Sequence, residues 1–412
     1  MPQFFTNPAL APSICEGPLG CIVPAYADLL YQQGYTHQSA HLQLRFLADL
    51  SHWLDRQQFR IADITKALLR RYLRSRHHRF RPRRDDASIL KRVLHLLHTK
   101  GILPYKASPS INSPRQCVEN DFDRYLSQER GLSMATRVNY RPFIQRFLSE
   151  QFGARPIQFT HLRAKDVIRF VRNHAHKVSP KRAGLMVSAL RSFFRYLRYR
   201  GDLATDLAAC VPGIANWQFS SLPKFLQPHQ VQQILNQYDR QTAKGRRDYA
   251  IVLLLARLGL RACEIVALTL DDIHWQVGQI TIRGKAGRVA RLPLPADIGN
   301  ALAAYLQKDR PACSTRRLFI RLKAPRRGFA NSIAISTIVA RALKQAGIID
   351  SPHTAAHRFR HTLATQMLRQ GASLADISQL LRHQSFNTTT LYAKVDLATL
   401  QTLAQPWPGG VQ

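Results

Sequence analysis

The residues that could do chemistry cluster in the last third of the chain. Arg261 stands two positions after Gly259, at the expected start of a helix, where free backbone N–H groups and the positive dipole end attract an anion. A guanidinium there adds two parallel hydrogen bonds to a phosphate, and Glu264, three residues on, can hold it in place. His357 and Arg360 are also three apart, about 60° around a helix axis, so they project from neighbouring positions, with His361 beside them. His383 follows, and Tyr392 comes nine residues later. A lone tyrosine is ordinarily a half-buried aromatic with a satisfied hydroxyl, and a lone lysine such as Lys285 is ordinarily solvated charge. Only as a set do these residues offer a cationic grip on phosphate beside a nucleophilic oxygen.

The surrounding pattern supplies the elements that must position them. Asp248 to Leu258 reads as an apolar helix broken at Gly259. Ile280 and Ile282 alternate with Thr281 and Arg283, Gly284 to Gly287 supplies turn chemistry, and Leu292 and Leu294 resume the strand, giving a hairpin with Lys285 near its tip. Phe359, Leu363 and Met367 form an apolar stripe on the helix of His357 and Arg360, which Gly371 ends. Ser373 and Asp376 form a capping-box pattern for the next helix, and Ser385 to Thr390 can cap a short one that carries Tyr392.

A chain of 412 residues is too long for one ordinary core and suggests two or three domains. Sixty Lys and Arg against 25 Asp and Glu leave a formal charge of +35, which favours a polyanionic partner, foremost nucleic acid. At 45% hydrophobic residues the chain is more than a disordered basic tail. The longest apolar run, Ala250 to Ala256, falls far short of the roughly 20 residues that span a bilayer, so a soluble, cytoplasmic protein without a membrane partner is expected. Six scattered cysteines lack the close spacing of a zinc site and read as reduced thiols, mostly buried or functionally neutral.

Turn-rich stretches at 106–114 and 211–223 divide the chain into an N-terminal helical DNA-binding segment (1–110), a helical domain (116–212) and a mixed α/β segment (222–412). The first two look like diverged copies: Leu29, Gly34, Thr36 and Phe46 are matched 97 positions later by Leu126, Gly131, Ser133 and Phe143. Farther along the offset drifts to about 100, as a small insertion would cause. Between Arg70 and Arg84 eight arginines occur with no acidic residue, a run expected to track phosphates through Arg70, Arg71, Arg74 and Arg76. Arg191 and Arg195 are the candidates in the second copy, where Phe194 and Leu197 fit a buried stripe.

In order and spacing, Arg261, Lys285, His357, Arg360, His383 and Tyr392 resemble the tyrosine recombinase, or phage integrase, family. The resemblance covers about 222–395, and the segment 118–212 looks like the family's helical SAM-like core-binding domain. Two departures stand out: Arg382 occupies the place of the family's usual glycine before the last histidine, and Ala286 that of a second glycine in the Lys285 hairpin. The fold implied is mainly α with a small antiparallel β element, helical core-binding domains preceding an α+β catalytic domain.

The activity implied is metal- and ATP-independent cleavage and rejoining of double-stranded DNA through a 3′-phosphotyrosyl link. By the same resemblance Tyr392 is the nucleophile, Arg261 and Arg360 bind the non-bridging oxygens and Lys285 is the acid for the departing 5′-oxygen. His357 handles protons around Tyr392, His383 donates to the phosphate, and Glu264 and His361 support the reacting groups. It further implies a homo- or hetero-tetramer of related recombinases on DNA, with the leucines of 396–403 docking on a neighbouring subunit, and no cofactor. Integration, excision and transposition for a mobile element are the expected roles. A non-catalytic DNA-binding protein and a type IB topoisomerase are the alternatives.

Overall fold

A computed structural model describes residues 15–104, 113–153, 155–215, 224–284, 287–348, 355–383 and 385–395. Lys285 and the 396–403 segment, both expected to be functional, lie outside the described residues. By packing the chain divides into two compact units, one of residues 105–220 and one that combines 1–104 with 221–412.

In the second of these, residues 15–104 form four helices: α1 (Val23–Gln32), α2 (His37–Arg56), α3 (Lys66–Arg79) and α4 (Asp86–Thr99). The Thr36 side chain caps α2 by accepting from the Ser39 N–H, and Thr65 caps α3 through Leu68 N–H. Tyr26, Leu47, Leu54, Tyr72 and Leu97 are buried at their centre. The arginine run has no acid within it, but one reaches it in space: Asp49 on α2 pairs with Arg76 at 2.8 Å and with Arg79 at 3.7 Å.

The 105–220 unit also has four helices: α5 (Pro114–Gln128), α6 (Met134–Phe152), α7 (Ala164–Ala175) and α8 (Pro180–Tyr199). Their core is aromatic, with Phe147 edge-on to Phe170 and Phe194, and Phe193 edge-on to Phe122. Phe194 and Leu197 are buried as the stripe requires.

The C-terminal part supplies α9 (Pro228–Asn236), α10 (Ala243–Leu258), α11 (Ala262–Ala267), a three-stranded sheet, α12 (Ala296–Lys308), α13 (Ile333–Gln345), α14 (Ala355–Arg369) and α15 (Leu374–Leu381). The strands β1 (Ile273–His274), β2 (Gln279–Arg283) and β3 (Val289–Pro293) run antiparallel in sequence order, with Ile280 opposite Leu292. That register turns Ile280, Ile282 and Leu292 onto the core and ends the ladder with Arg283 opposite Val289. The central helix α10 buries nearly its whole length, Ala250 to Leu255 included. The fold is thus mostly helical with one small antiparallel sheet.

The burial expected for the cysteines does not hold, though their being unpaired thiols does. All six cysteines are free, but none is buried: Cys21, Cys117 and Cys263 are exposed, and Cys15, Cys210 and Cys313 are half-buried. They lie at helix ends and outward positions, where the apolar stripe does not claim them. Among the described residues no helix is long and apolar enough to cross a membrane.

Candidate active site

Helix α10 ends at Gly259, whose φ of +56° is left-handed. A Cβ there would lie 2.8 Å from Leu381 and 3.1 Å from Leu363, so glycine allows α14 and α15 to close on the end of α10. Two residues later Arg261 is the N-cap of α11, and Glu264 answers it twice: its carboxylate accepts the Arg261 N–H at 2.8 Å and the guanidinium at 2.7 Å. The Arg261 side chain stays 31% exposed while Glu264 is 2% exposed, so the carboxylate fixes the arginine from below and leaves it open above.

Arg360 projects from α14 next to the fully buried Phe359. Its guanidinium is buried and forks between two main-chain carbonyls, Gly259 O at 2.6 Å and Leu381 O. Burial first, then the charges of Arg261 and Arg382, bring it down to about 9, so it remains a cation at neutral pH.

Arg382 joins this group, a placement sequence reasoning did not foresee. It caps α15 in the left-handed region at φ 54°, ψ 49°, the conformation a glycine takes without strain. Its side chain folds back to donate to Glu264 at 3.0 Å, and its buried Nε has no hydrogen-bond partner among the described residues. Burial would raise the Glu264 carboxyl, yet the Arg261 N–H and the Arg382 and Arg261 guanidiniums hold it below its ordinary value. Two guanidiniums therefore flank one carboxylate, and with the Arg360 cation close by the group keeps net positive charge where an anion can enter. A non-glycine at a helix C-cap that normally wants glycine was the available signal.

Tyr392 sits between two single turns, Phe386–Thr388 and Ala393–Val395, rather than on a helix of its own. It is 2% exposed and packs among Ala364, Ile377 and Leu381. Its hydroxyl lies 3.0 Å from Nδ1 of His361. Burial raises its pKa, and the nearby charges of Arg360 and Arg261 act against that rise. His383 stacks on the Tyr392 ring, centroids 6.3 Å apart, and its Nδ1 lies 2.7 Å from the buried Thr389 hydroxyl. His361 is depressed to about 4 by burial, His357 and Arg360, and His383 to about 4 by burial and the surrounding arginines, so both rings are neutral at pH 7.

Arg261, Arg360, His383 and Tyr392 thus come together with Glu264, His361 and Arg382. His357 is exposed, its ring 6.4 Å from that of His361, which is the histidine that meets the hydroxyl here. Of the arginines expected on DNA, Arg70, Arg71, Arg74 and Arg195 are exposed. Arg76 lies inward against Asp49 and over the Phe46 ring, and Arg191 donates to Val211 O at 2.9 Å, so both are engaged within the fold.

A mainly helical domain with a small sheet, preceded by a helical bundle and bearing clustered arginines, histidines and a tyrosine, is the layout of a DNA strand-exchange enzyme of the tyrosine type. The comparisons agree: the phage integrase family profile matches residues 224–398, and the phage integrase N-terminal SAM-like domain matches 120–201. The chain belongs to the phage integrase family of tyrosine recombinases. A putative integrase/recombinase y4rA of Sinorhizobium fredii (strain NBRC 101917 / NGR234) is 44% identical over 399 residues, covering 96% of each chain. Tyrosine recombinase XerD of Listeria innocua serovar 6a is 32% identical over 282 residues, covering 67% of this chain and 93% of that one. In fold the chain is similar to the XerH site-specific recombinase in its post-cleavage complex with palindromic difH, with a TM-score of 0.57 at 17% identity, covering 82% of this chain and 94% of that one.

Proposed function

We propose that this recombinase cuts and rejoins DNA at defined sites through a 3′-phosphotyrosyl intermediate on Tyr392, acting for a mobile element. The observation that carries the reading is the Tyr392 hydroxyl, held by a neutral histidine beside the arginines that Glu264 and two main-chain carbonyls fix. The phenolic oxygen attacks phosphorus, and the bond to the 5′-oxygen breaks. The phenol's proton passes to His361, supported by their 3.0 Å separation, while Lys285 supplies a proton to the departing 5′-oxygen. Arg261 and Arg360 bind the non-bridging oxygens, and His383 turns from Thr389 to donate to the phosphate, while the exposed His357, its ring 6.4 Å from that of His361, is left to relay protons around that histidine. The reverse attack, by the 5′-hydroxyl of another strand, completes exchange with the phosphoester energy retained.

Such exchange takes four subunits around two duplexes, and the solved relatives are consistent with assembly on DNA. One is described as a lambda integrase tetramer bound to a Holliday junction, at a TM-score of 0.51 and 18% identity. Another is a Tn1549 transposon integrase with circular intermediate DNA, at 0.52 and 14%, which favours the mobile-element role. In this reading the 396–403 segment docks on a neighbouring subunit, and the protein works at the nucleoid in the cytoplasm. The test is incubation with a nicked duplex bearing a candidate site, in EDTA, followed by a denaturing gel. A covalent adduct formed without metal and lost in Tyr392→Phe supports the proposal, whereas binding without any adduct favours an architectural protein.

A further inference from the structure

Residues 15–104 repeat the 105–220 unit element by element. In each, two helices meet at a left-handed glycine, Gly34 and Gly131. A hydroxyl then caps the second helix, from Thr36 and Ser133. A single tight turn follows, Ile61–Asp63 and Phe159–His161, and the fourth helix ends at left-handed Gly101 and Gly201. Buried positions keep register: Leu69 and Tyr72 of α3 correspond, 98 positions on, to Val167 and Phe170 of α7. In the fourth helices the offset is 100, so the extra length lies in the connection before them: Leu90, Val93 and Leu97 correspond to Leu190, Phe193 and Leu197.

The same register aligns charge. Arg71 and Arg74 fall on Arg169 and Arg172, and all four are exposed. Along α3 and just past its end the structure sorts the arginines: Arg76 and Arg79 turn to Asp49 and Arg83 pairs with Asp85, while Arg70, Arg71 and Arg74 face solvent. Like charges three and four apart on a helix repel and destabilise it, so this face is one that a polyanion would stabilise. Residues 15–104 carry fifteen Lys and Arg against seven Asp and Glu. We propose that residues 15–104 are a second domain of the core-binding kind, which grips the phosphates of duplex DNA through the outer face of α3. This rests on the reading of the chain as an enzyme acting on DNA.

The test uses the full chain and a 40-base-pair duplex of arbitrary sequence, with affinity measured across a KCl series and folding checked by thermal melting. Each phosphate contact contributes about 0.9 to the slope of log K against log salt. The double variant R71Q/R74Q should lower the slope by about two and weaken binding at least tenfold at low salt. R71K/R74K should restore it, because phosphate contacts of this kind need charge and not a fork, and R74Q alone should give about half the change. An unchanged slope in folded R71Q/R74Q, with wild-type binding intact, overturns the second DNA-binding domain and leaves the recombinase reading standing. Absence of salt-dependent duplex binding by the wild type overturns both.

Discussion

The Tyr392 hydroxyl lies 3.0 Å from Nδ1 of His361, thirty-one positions earlier in the chain, on a tyrosine that is 2% exposed. In the proposed mechanism this neutral ring takes the phenolic proton as the oxygen attacks. His361→Gln keeps a hydrogen-bonding group of similar reach but removes the proton acceptor. Its rate of covalent adduct formation on a nicked duplex should fall by about 100-fold, general-base assistance being worth roughly 10²–10⁴. A rate within threefold of wild type would assign the proton to another group.

The same histidine should leave a mark on stability. Burial, with His357 and Arg360, holds His361 at about 4 in the folded chain, against about 6.5 for an unfolded histidine. Between those values the unfolded state binds more protons, so stability is complete above about pH 6.5 and is lost as pH falls toward 4. His383 acts in the same direction. Thermal midpoints recorded from pH 7 to 4.5 at fixed ionic strength should fall steeply for wild type and less steeply for His361→Gln; parallel curves would contradict the assignment.

Arg382 holds Glu264 from the far side of Arg261 while standing in a strained backbone conformation. Arg382→Gly relieves a left-handed strain of roughly 1–2 kcal/mol and loses the ion pair, so the melting midpoint should move little. Glu264 then rests on Arg261 alone and ties its guanidinium more firmly. Adduct formation should slow about tenfold, equivalent to about 1.4 kcal/mol in the barrier. Unaltered single-turnover rates would reduce Arg382 to a helix cap.

Arg360 spans Gly259 O and Leu381 O with one planar fork, which a lysine cannot reproduce. Arg360→Lys leaves a buried carbonyl unpaired, at a cost of about 1–3 kcal/mol, and misplaces the cation. Both a lower urea midpoint and at least tenfold less adduct are expected. Full stability together with lost activity would mean that the carbonyl contacts are incidental.

The acid role proposed for Lys285 has a direct chemical test. Lys285→Ala should cleave an ordinary phosphodiester about 100-fold more slowly, because the 5′-oxygen leaves poorly without a proton. With sulfur in place of that bridging oxygen the leaving group needs no acid, and the variant should approach wild-type rates. An equal defect on both substrates would rule out the acid role.

Much of this site was readable from local rules. The Arg261–Glu264 spacing fixes a cap interaction within one turn, the Ser373–Asp376 box starts α15 as expected, and alternation of Ile280 and Ile282 sets the hairpin register. His357 and His361 are another matter. Four residues apart, they differ by about 40° around α14, and which one meets Tyr392 depends on how the 385–395 segment packs across Ile377 and Leu381. Arg382 looked like a lost glycine because nothing local says that its side chain returns to Glu264, 118 positions away. Asp49 likewise neutralises part of an arginine run 27 positions downstream, a pairing set by the approach of α2 and α3.

The most direct measurement is peptide mapping of the covalent complex. Protein trapped on a nicked duplex in EDTA, digested and analysed by mass spectrometry, should yield one modified peptide with the nucleotide on Tyr392, joined through a 3′-phosphate. The released strand should carry a 5′-hydroxyl that polynucleotide kinase labels without prior phosphatase treatment. A nucleotide on any other side chain, or a 5′-phosphate on the released strand, would contradict the account.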